Sequence, residues 1–152
     1  MIFISHRGNI AGKISNLENT QEYIVTALEK GYNVEIDIWY QKEKFYLGHD
    51  SPGEIIEIDF LKNKKLWCHA KNIDAVYELG ALGDIHYFWH QKDDITLTSL
   101  NYIWTYPGKH LTKKSICVLP EYASYNNKDL RISAGICSDE IGKYKNEFEA
   151  KR

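Results

Sequence analysis

Short apolar runs separated by polar turns set the rhythm of this chain. "MIFIS", at the start, has the length and composition of a strand. "NTQEYIVTALEKG" then spaces Tyr23, Ile24, Ala27 and Leu28 along one helical face. Asn19 and Glu22 stand as in a capping box, and Gly31 is the stop. "NVEIDIWY" follows at once, a strand–helix–strand unit whose crossover is long enough for parallel pairing. "KFYLGHD" is a short extended piece, and "SPGEIIEIDFLKNKK" reads as a loop with one helical turn. "LWCHAKN" is the next strand, and "IDAVYELGAL" a helix with Ala75, Val76 and Leu79 facing inward. "DIHYFWH", "YIWTY", "SICVLP" and "ISAGICS" are further strands, the last three joined by connections too short for full helices. "DITLTS" lies too soon after "WH" for a parallel crossover, so it is expected to form a hairpin with "YIWTY". The tail, "DEIGKYKNEFEAKR", reads as a surface helix. The alternation predicts an α/β fold with a mostly parallel sheet. An open sheet and a reduced barrel both fit the pattern.

Residue parity within the strands brings in the chemistry. Successive side chains alternate faces, so Glu35 and Asp37 share one side of their strand while Val34, Ile36 and Ile38 share the other. In "LWCHAKN", Trp67, His69 and Lys71 are on one side and Leu66, Cys68 and Ala70 on the other. The first strand ends in His6 and Arg7, and "LGHD" ends in His49 and Asp50. Sites in α/β sheets and barrels form at the carboxyl ends of strands, so these groups can converge on one rim. Two neighbouring carboxylates repel and need a cation or a proton between them, and a hard divalent ion is a common solution.

Composition narrows the setting. The 152 residues, 43% hydrophobic, suit one domain over 1–152. A net charge of -2 without basic clusters does not point to nucleic acid. No apolar run reaches membrane-spanning length, and the first residues lack a signal-peptide pattern. Cys68, Cys117 and Cys137 each sit in an apolar run, without zinc-site spacing. They are expected to be reduced and buried, in a cytoplasmic protein.

"HRG", "ENT" (Glu18 to Thr20), "EIDI" (Glu35 to Ile38) and "GHD" (Gly48 to Asp50) occur in order. In this the chain resembles the glycerophosphodiester phosphodiesterases, relatives of the phosphatidylinositol-specific phospholipases C. "HAK" falls where that family has a Glu-x-Lys strand motif, and "AGICSDE" resembles its late strand ending in an aspartate. The resemblance implies a TIM-like (β/α) barrel, here reduced, with several helices replaced by short loops, since such barrels usually have about 250 residues. It implies a metal-dependent phosphoric diester hydrolase of lipid metabolism acting on a small glycerophosphodiester-like substrate. His6 and His49 match the catalytic histidines, Arg7 and Lys71 the phosphate-binding cations, and Glu35 and Asp37 metal ligands. Glu18 matches a residue supporting the metal shell, while Asn19 is expected to cap its helix. His69 replaces a glutamate, as a third ligand or as a hydrogen-bonding neighbour. Mg²⁺ or Ca²⁺ is the implied cofactor, with Mn²⁺ or Zn²⁺ brought into range by His69. A lyase stopping at a cyclic phosphate and a non-catalytic phosphate-binding module are the alternatives.

The second half offers residues without a supporting motif. His86, Phe88 and His90 share a face, and Trp104, Tyr106, Lys109, His110 and Glu121 lie near strand ends. A stripped barrel would expose apolar sides, which a homodimer would cover.

Overall fold

The computed structural model of the protein describes residues 1–150. β1 (Ile2–His6), α1 (Gln21–Glu29) and β2 (Asn33–Gln41) form the expected strand–helix–strand unit. β3 (Lys44–Leu47) folds back antiparallel on β2, β4 (Ile55–Ile56) extends that hairpin, and α2 (Ile58–Leu61) is the single helical turn. β5 (Leu66–Ala70), α3 (Ile73–Leu82) and β6 (Tyr87–Trp89) repeat the parallel unit. β7 (Ile95–Leu97), β8 (Ile103–Thr105) and β9 (Ser115–Val118) follow with no α-helix between them. α4 (Asn127–Leu130), β10 (Gly135–Ser138) and α5 (Ile141–Glu149) complete the described chain.

Parallel pairing places β8, β9, β10, β1, β2, β5 and β6 side by side in that order. The antiparallel arm β7 joins β8, as its spacing predicts. β2 is long enough for three neighbours. Residues 33–35 pair with β1, 34–38 with β5 and 38–41 with β3.

The sheet is open, because no ladder joins β6 to β7. Its ends nevertheless approach one another. Ser99 N donates to Tyr87 O at 2.9 Å, and Thr96 Oγ1 donates to Trp89 O at 2.8 Å. The Phe88 ring on β6 lies 4.5 Å from the Trp104 ring on β8. These strands are at opposite ends of the parallel order, so the sheet curls strongly around its inner face. Ile4, Trp67, Phe88, Trp104, Ile116, Val118 and Cys137 fill that concave side as one buried cluster.

The convex side is covered by helices. Val34, Ile36, Ile38, Leu66, Cys68 and Ala70 pack against Ile24 and Ala27 of α1 and Ala75 and Leu79 of α3. α5 buries Ile141, Tyr144 and Phe148 against Cys117 and Ile136. The surface helix expected at the tail is therefore half-buried, because its few apolar residues recur at helical spacing and line one side. All three cysteines are free and buried. α3 reaches Tyr87 of β6, whereas Trp89 at the end of β6 and Ile95 and Leu97 of β7 are exposed. Among the described residues, no helix is long and apolar enough to cross a membrane.

Asn19 does not cap α1. The N-cap is Thr20, without a side-chain hydrogen bond. Asn19 instead adopts a left-handed backbone with φ of 56° and turns its amide into the sheet. A strong local signal for capping loses to a buried carboxylate that needs a donor.

His86 is buried on the concave side, its ring 4.1 Å from that of Trp67 and its Nε2 2.9 Å from Thr98 Oγ1. Burial keeps this imidazole neutral and pushes its pKa down to about 4. The unfolded chain therefore binds more protons than the folded one between about pH 6.5 and pH 4. The stability that neutral His86 contributes is present above that window and lost as pH falls through it. Urea melts should show the protein losing roughly 1–3 kcal/mol more than His86→Phe between pH 7 and pH 4. Identical losses would contradict this account. Trp104→Ala should cost about 3–5 kcal/mol in the same melts at pH 7, because it opens a cavity where the two ends of the sheet meet.

Candidate functional site

Strand register does most of the positioning. His6 at the end of β1 lies beside Glu35 of β2, and Asp37 of β2 lies beside His69 of β5. Arg7 and Lys71 follow their strands by one residue. These six side chains gather at the carboxyl end of the concave face. The glycine of each motif has a local reason. Gly8 has φ of +96°, and a Cβ there would meet the Tyr23 ring at 2.5 Å. Gly48 has φ of +147°, and a Cβ there would collide with the Ser51 carbonyl.

Asp37 is fully buried and is the most heavily paired member. Its Oδ2 lies 2.9 Å from Arg7 Nε and accepts from Asn19 Nδ2 at 2.9 Å. Asn19 Oδ1 in turn accepts the Asp37 backbone N–H at 3.0 Å. Asp37 Oδ1 faces His69 Nδ1 at 3.2 Å and Lys71 Nζ at 3.4 Å. Burial alone would raise the Asp37 pKa. The His69 contact and the positive charges of Arg7, His69 and Lys71 reverse that and hold it well below the usual carboxylate range. Arg7 and Asn19 both have left-handed backbones, tied together by the Asn19 N–H on the Arg7 carbonyl at 3.2 Å. Such conformations cost energy and are held here by the site's own contacts.

The histidines fall into two arrangements. His6 bonds through Nδ1 to Asp139 Oδ1 at 2.7 Å, so its Nε2 faces Glu35 Oε2 at 3.8 Å. Burial would lower the His6 pKa, but the Asp139 bond and the Glu35 charge leave it raised. His49 bonds through Nδ1 to Asp50 Oδ1 at 2.7 Å, which likewise leaves Nε2 for proton exchange. His69 is reversed. Its Nε2 donates to the His90 carbonyl at 2.7 Å, and its Nδ1 points at Asp37 Oδ1 and, 3.5 Å away, at Glu35 Oε1. Burial would lower the His69 pKa, yet the two carboxylates push it up to about 9.

Two groups among the described residues have ligand atoms mutually within 4.8 Å, the spacing a metal ion requires. They differ in how those atoms are occupied. In the group His6, Glu18 and Asp139, Asn9 Nδ2 bridges Glu18 Oε1 at 2.7 Å and Asp139 Oδ1 at 2.8 Å. An amide already satisfies that group. In the group Glu35, Asp37 and His69, Glu35 Oε2 and Asp37 Oδ1 are buried without a hydrogen bond. Unsatisfied buried carboxylate oxygens are costly, and two of them facing an imidazole nitrogen fit a divalent cation.

Six of the expected side chains are thus brought together, with Glu18 at their edge 3.6 Å from Arg7 Nη1. His49 stands apart on an exposed turn, bordering a cleft of about 470 Å³ with Arg7, Glu18 and Asn19. Asn9, Asp139 and Glu121 complete the network. Glu121 Oε1 accepts the Asp139 N–H at 2.9 Å and Ser138 Oγ, also at 2.9 Å. The final aspartate of "AGICSDE" is the one sequence signal that pointed to Asp139. Nothing in the sequence set Asn9 apart from an ordinary turn residue. None of the compared family models, curated proteins or solved structures matches this chain.

Asn19→Ala removes the amide that satisfies both Asp37 Oδ2 and the Asp37 N–H. It should lower unfolding stability by about 1–3 kcal/mol, read from thermal or urea melts. A stability unchanged from wild type would show that water replaces Asn19 without cost.

Proposed function

We propose that the chain is a divalent-metal-dependent phosphodiesterase acting on a small glycerophosphodiester-like substrate, built on a reduced TIM-like barrel whose seam lies between β6 and β7. The observation that carries this reading is the convergence of buried carboxylate oxygens of Glu35 and Asp37, two of them without a hydrogen bond, with His69 Nδ1, Arg7 and Lys71. Glu35, Asp37 and His69 would hold the metal, which when bound supplies positive charge against the charge that develops on phosphate oxygens.

The chain's own groups cover the remaining tasks. Arg7 is anchored through Nε on Asp37 and flanked at Nη1 by Glu18, and its remaining guanidinium N–H groups would hold a non-bridging oxygen. Lys71 adds a point charge from the neighbouring strand. His6 presents Nε2 with Asp139 fixing its orientation, as a group that takes or returns a proton must be held. His49, bonded to Asp50 on the exposed rim, would exchange a proton with an oxygen reaching the site from solvent. One histidine accepts the proton of the attacking hydroxyl or water, and the other protonates the leaving alkoxide. Buried reduced cysteines support a cytoplasmic setting.

One observation favours a second reading. Arg7, Lys71 and His69 already pair with Glu35 and Asp37 without a metal, as they would in a phosphate-binding module without turnover. Assays with bis(p-nitrophenyl) phosphate and with a glycerophosphodiester separate the two. The expected result is turnover that a chelator abolishes and a divalent ion restores. His6→Ala and Asp37→Asn should each lower kcat at least ~100-fold while keeping the native circular dichroism spectrum. Phosphate binding without turnover in Mg²⁺, Ca²⁺, Mn²⁺ or Zn²⁺ would overturn the enzyme reading. Product analysis distinguishes hydrolysis from release of a cyclic phosphate.

A further inference from the structure

We propose that His69 binds the metal through Nδ1 and thereby turns the site from Mg²⁺ and Ca²⁺ toward a first-row transition ion such as Mn²⁺ or Zn²⁺. This rests on the metal-dependent reading of the same site. It adds which ion the site selects and which atom makes the selection.

The orientation of the ring is the first support. Donation from Nε2 to the His90 carbonyl at 2.7 Å leaves Nδ1 as the nitrogen that faces the carboxylates, where an ion would take the place of its proton. A ligating histidine almost always has its other nitrogen held in this way by a carbonyl or carboxylate. The ring is also braced, stacked on Phe88 at 4.9 Å with an interplanar angle of 11°. Its Nδ1 is therefore held in place at the two carboxylates before any ion arrives.

The donor set is the second support. Glu35 Oε2 and Asp37 Oδ1 are buried without a hydrogen bond, and both residues are at most 1% exposed. With Nδ1 they make a two-oxygen, one-nitrogen set. Ca²⁺ takes six to eight oxygen ligands, and Mg²⁺ demands a near-octahedral oxygen shell. The His90 carbonyl, the nearby backbone oxygen, is already occupied by Nε2. Imidazole binds transition ions much better than it binds Mg²⁺ or Ca²⁺. Three protein ligands also leave open positions for substrate oxygens, as catalytic sites require.

The test uses the metal-free protein titrated separately with Mn²⁺, Zn²⁺, Mg²⁺ and Ca²⁺ by calorimetry, with pulsed electron paramagnetic resonance of the Mn²⁺-loaded protein. Mn²⁺ is expected to bind at least about tenfold tighter than Mg²⁺ and to show coupling to an imidazole nitrogen. His69→Glu should abolish that coupling and reduce the Mn²⁺ preference about tenfold, by improving Mg²⁺ binding. His69→Gln, which keeps the charge of a neutral imidazole but not its nitrogen, should also lose the coupling. Mn²⁺ bound without nitrogen coupling, coupling that survives in His69→Glu, or no binding of any ion would overturn the proposal. The function is scored separately. Turnover with Mg²⁺ and no nitrogen coupling removes the role of His69 and leaves the phosphodiesterase. Nitrogen-coupled Mn²⁺ without turnover does the reverse.

Discussion

Two carboxylates buried on one face of β2 dictate what surrounds them. Glu35 and Asp37 cannot stay charged in that position without cations and donors nearby. Arg7 arrives from the end of β1, Lys71 and His69 from β5, and Asn19 from the loop before α1. They come from three parts of the chain, so the acidic pair adds side-chain ties to segments that the sheet already sets side by side. The left-handed backbones of Arg7 and Asn19 accompany these contacts with Asp37.

The curl of the sheet makes this convergence local. A flat parallel sheet would hold His6, Glu35 and His69 in a row, with water on one side. Here the aromatic residues of β5, β6 and β8 fill the concave face and draw the distant end of the sheet back toward β6. The carboxylates are thereby roofed and partly cut off from solvent, which strengthens every charge interaction among them. The direct pairing of β5 with β6 brings the His90 carbonyl, just past β6, within reach of His69 Nε2. Strand pairing and ring stacking thus hold the orientation of His69 together.

Strand parity was the most legible feature of the sequence. It placed Glu35, Asp37, His69 and Lys71 on one face, and Leu66, Cys68 and Ala70 on the other, where the structure has them. The hairpin of β7 with β8 followed from the length of one connection. Less legible were features that depend on distant partners. Asn19 looked like a cap because capping is local, whereas its use depends on a carboxylate 18 residues away. Asn9 is an ordinary turn residue until Glu18 and Asp139 flank it. The curl is invisible to periodicity, because it comes from ring contacts between strands that do not pair. His69 was singled out by its residue type, but its tautomer emerged only with the carbonyl of His90.

That carbonyl has a wider consequence. It belongs to the main chain, so almost any amino acid at position 90 could offer it. At position 90 the chain therefore assists His69 through its course, while at position 88 the stacked Phe ring does so through its identity. Sequence change at position 90 leaves His69 held so long as the path of the strand is kept, whereas change at position 88 removes the ring it stacks on. The acidic pair on β2 thus keeps its imidazole neighbour through main chain on one side and an aromatic ring on the other, two supports that sequence change reaches in different ways.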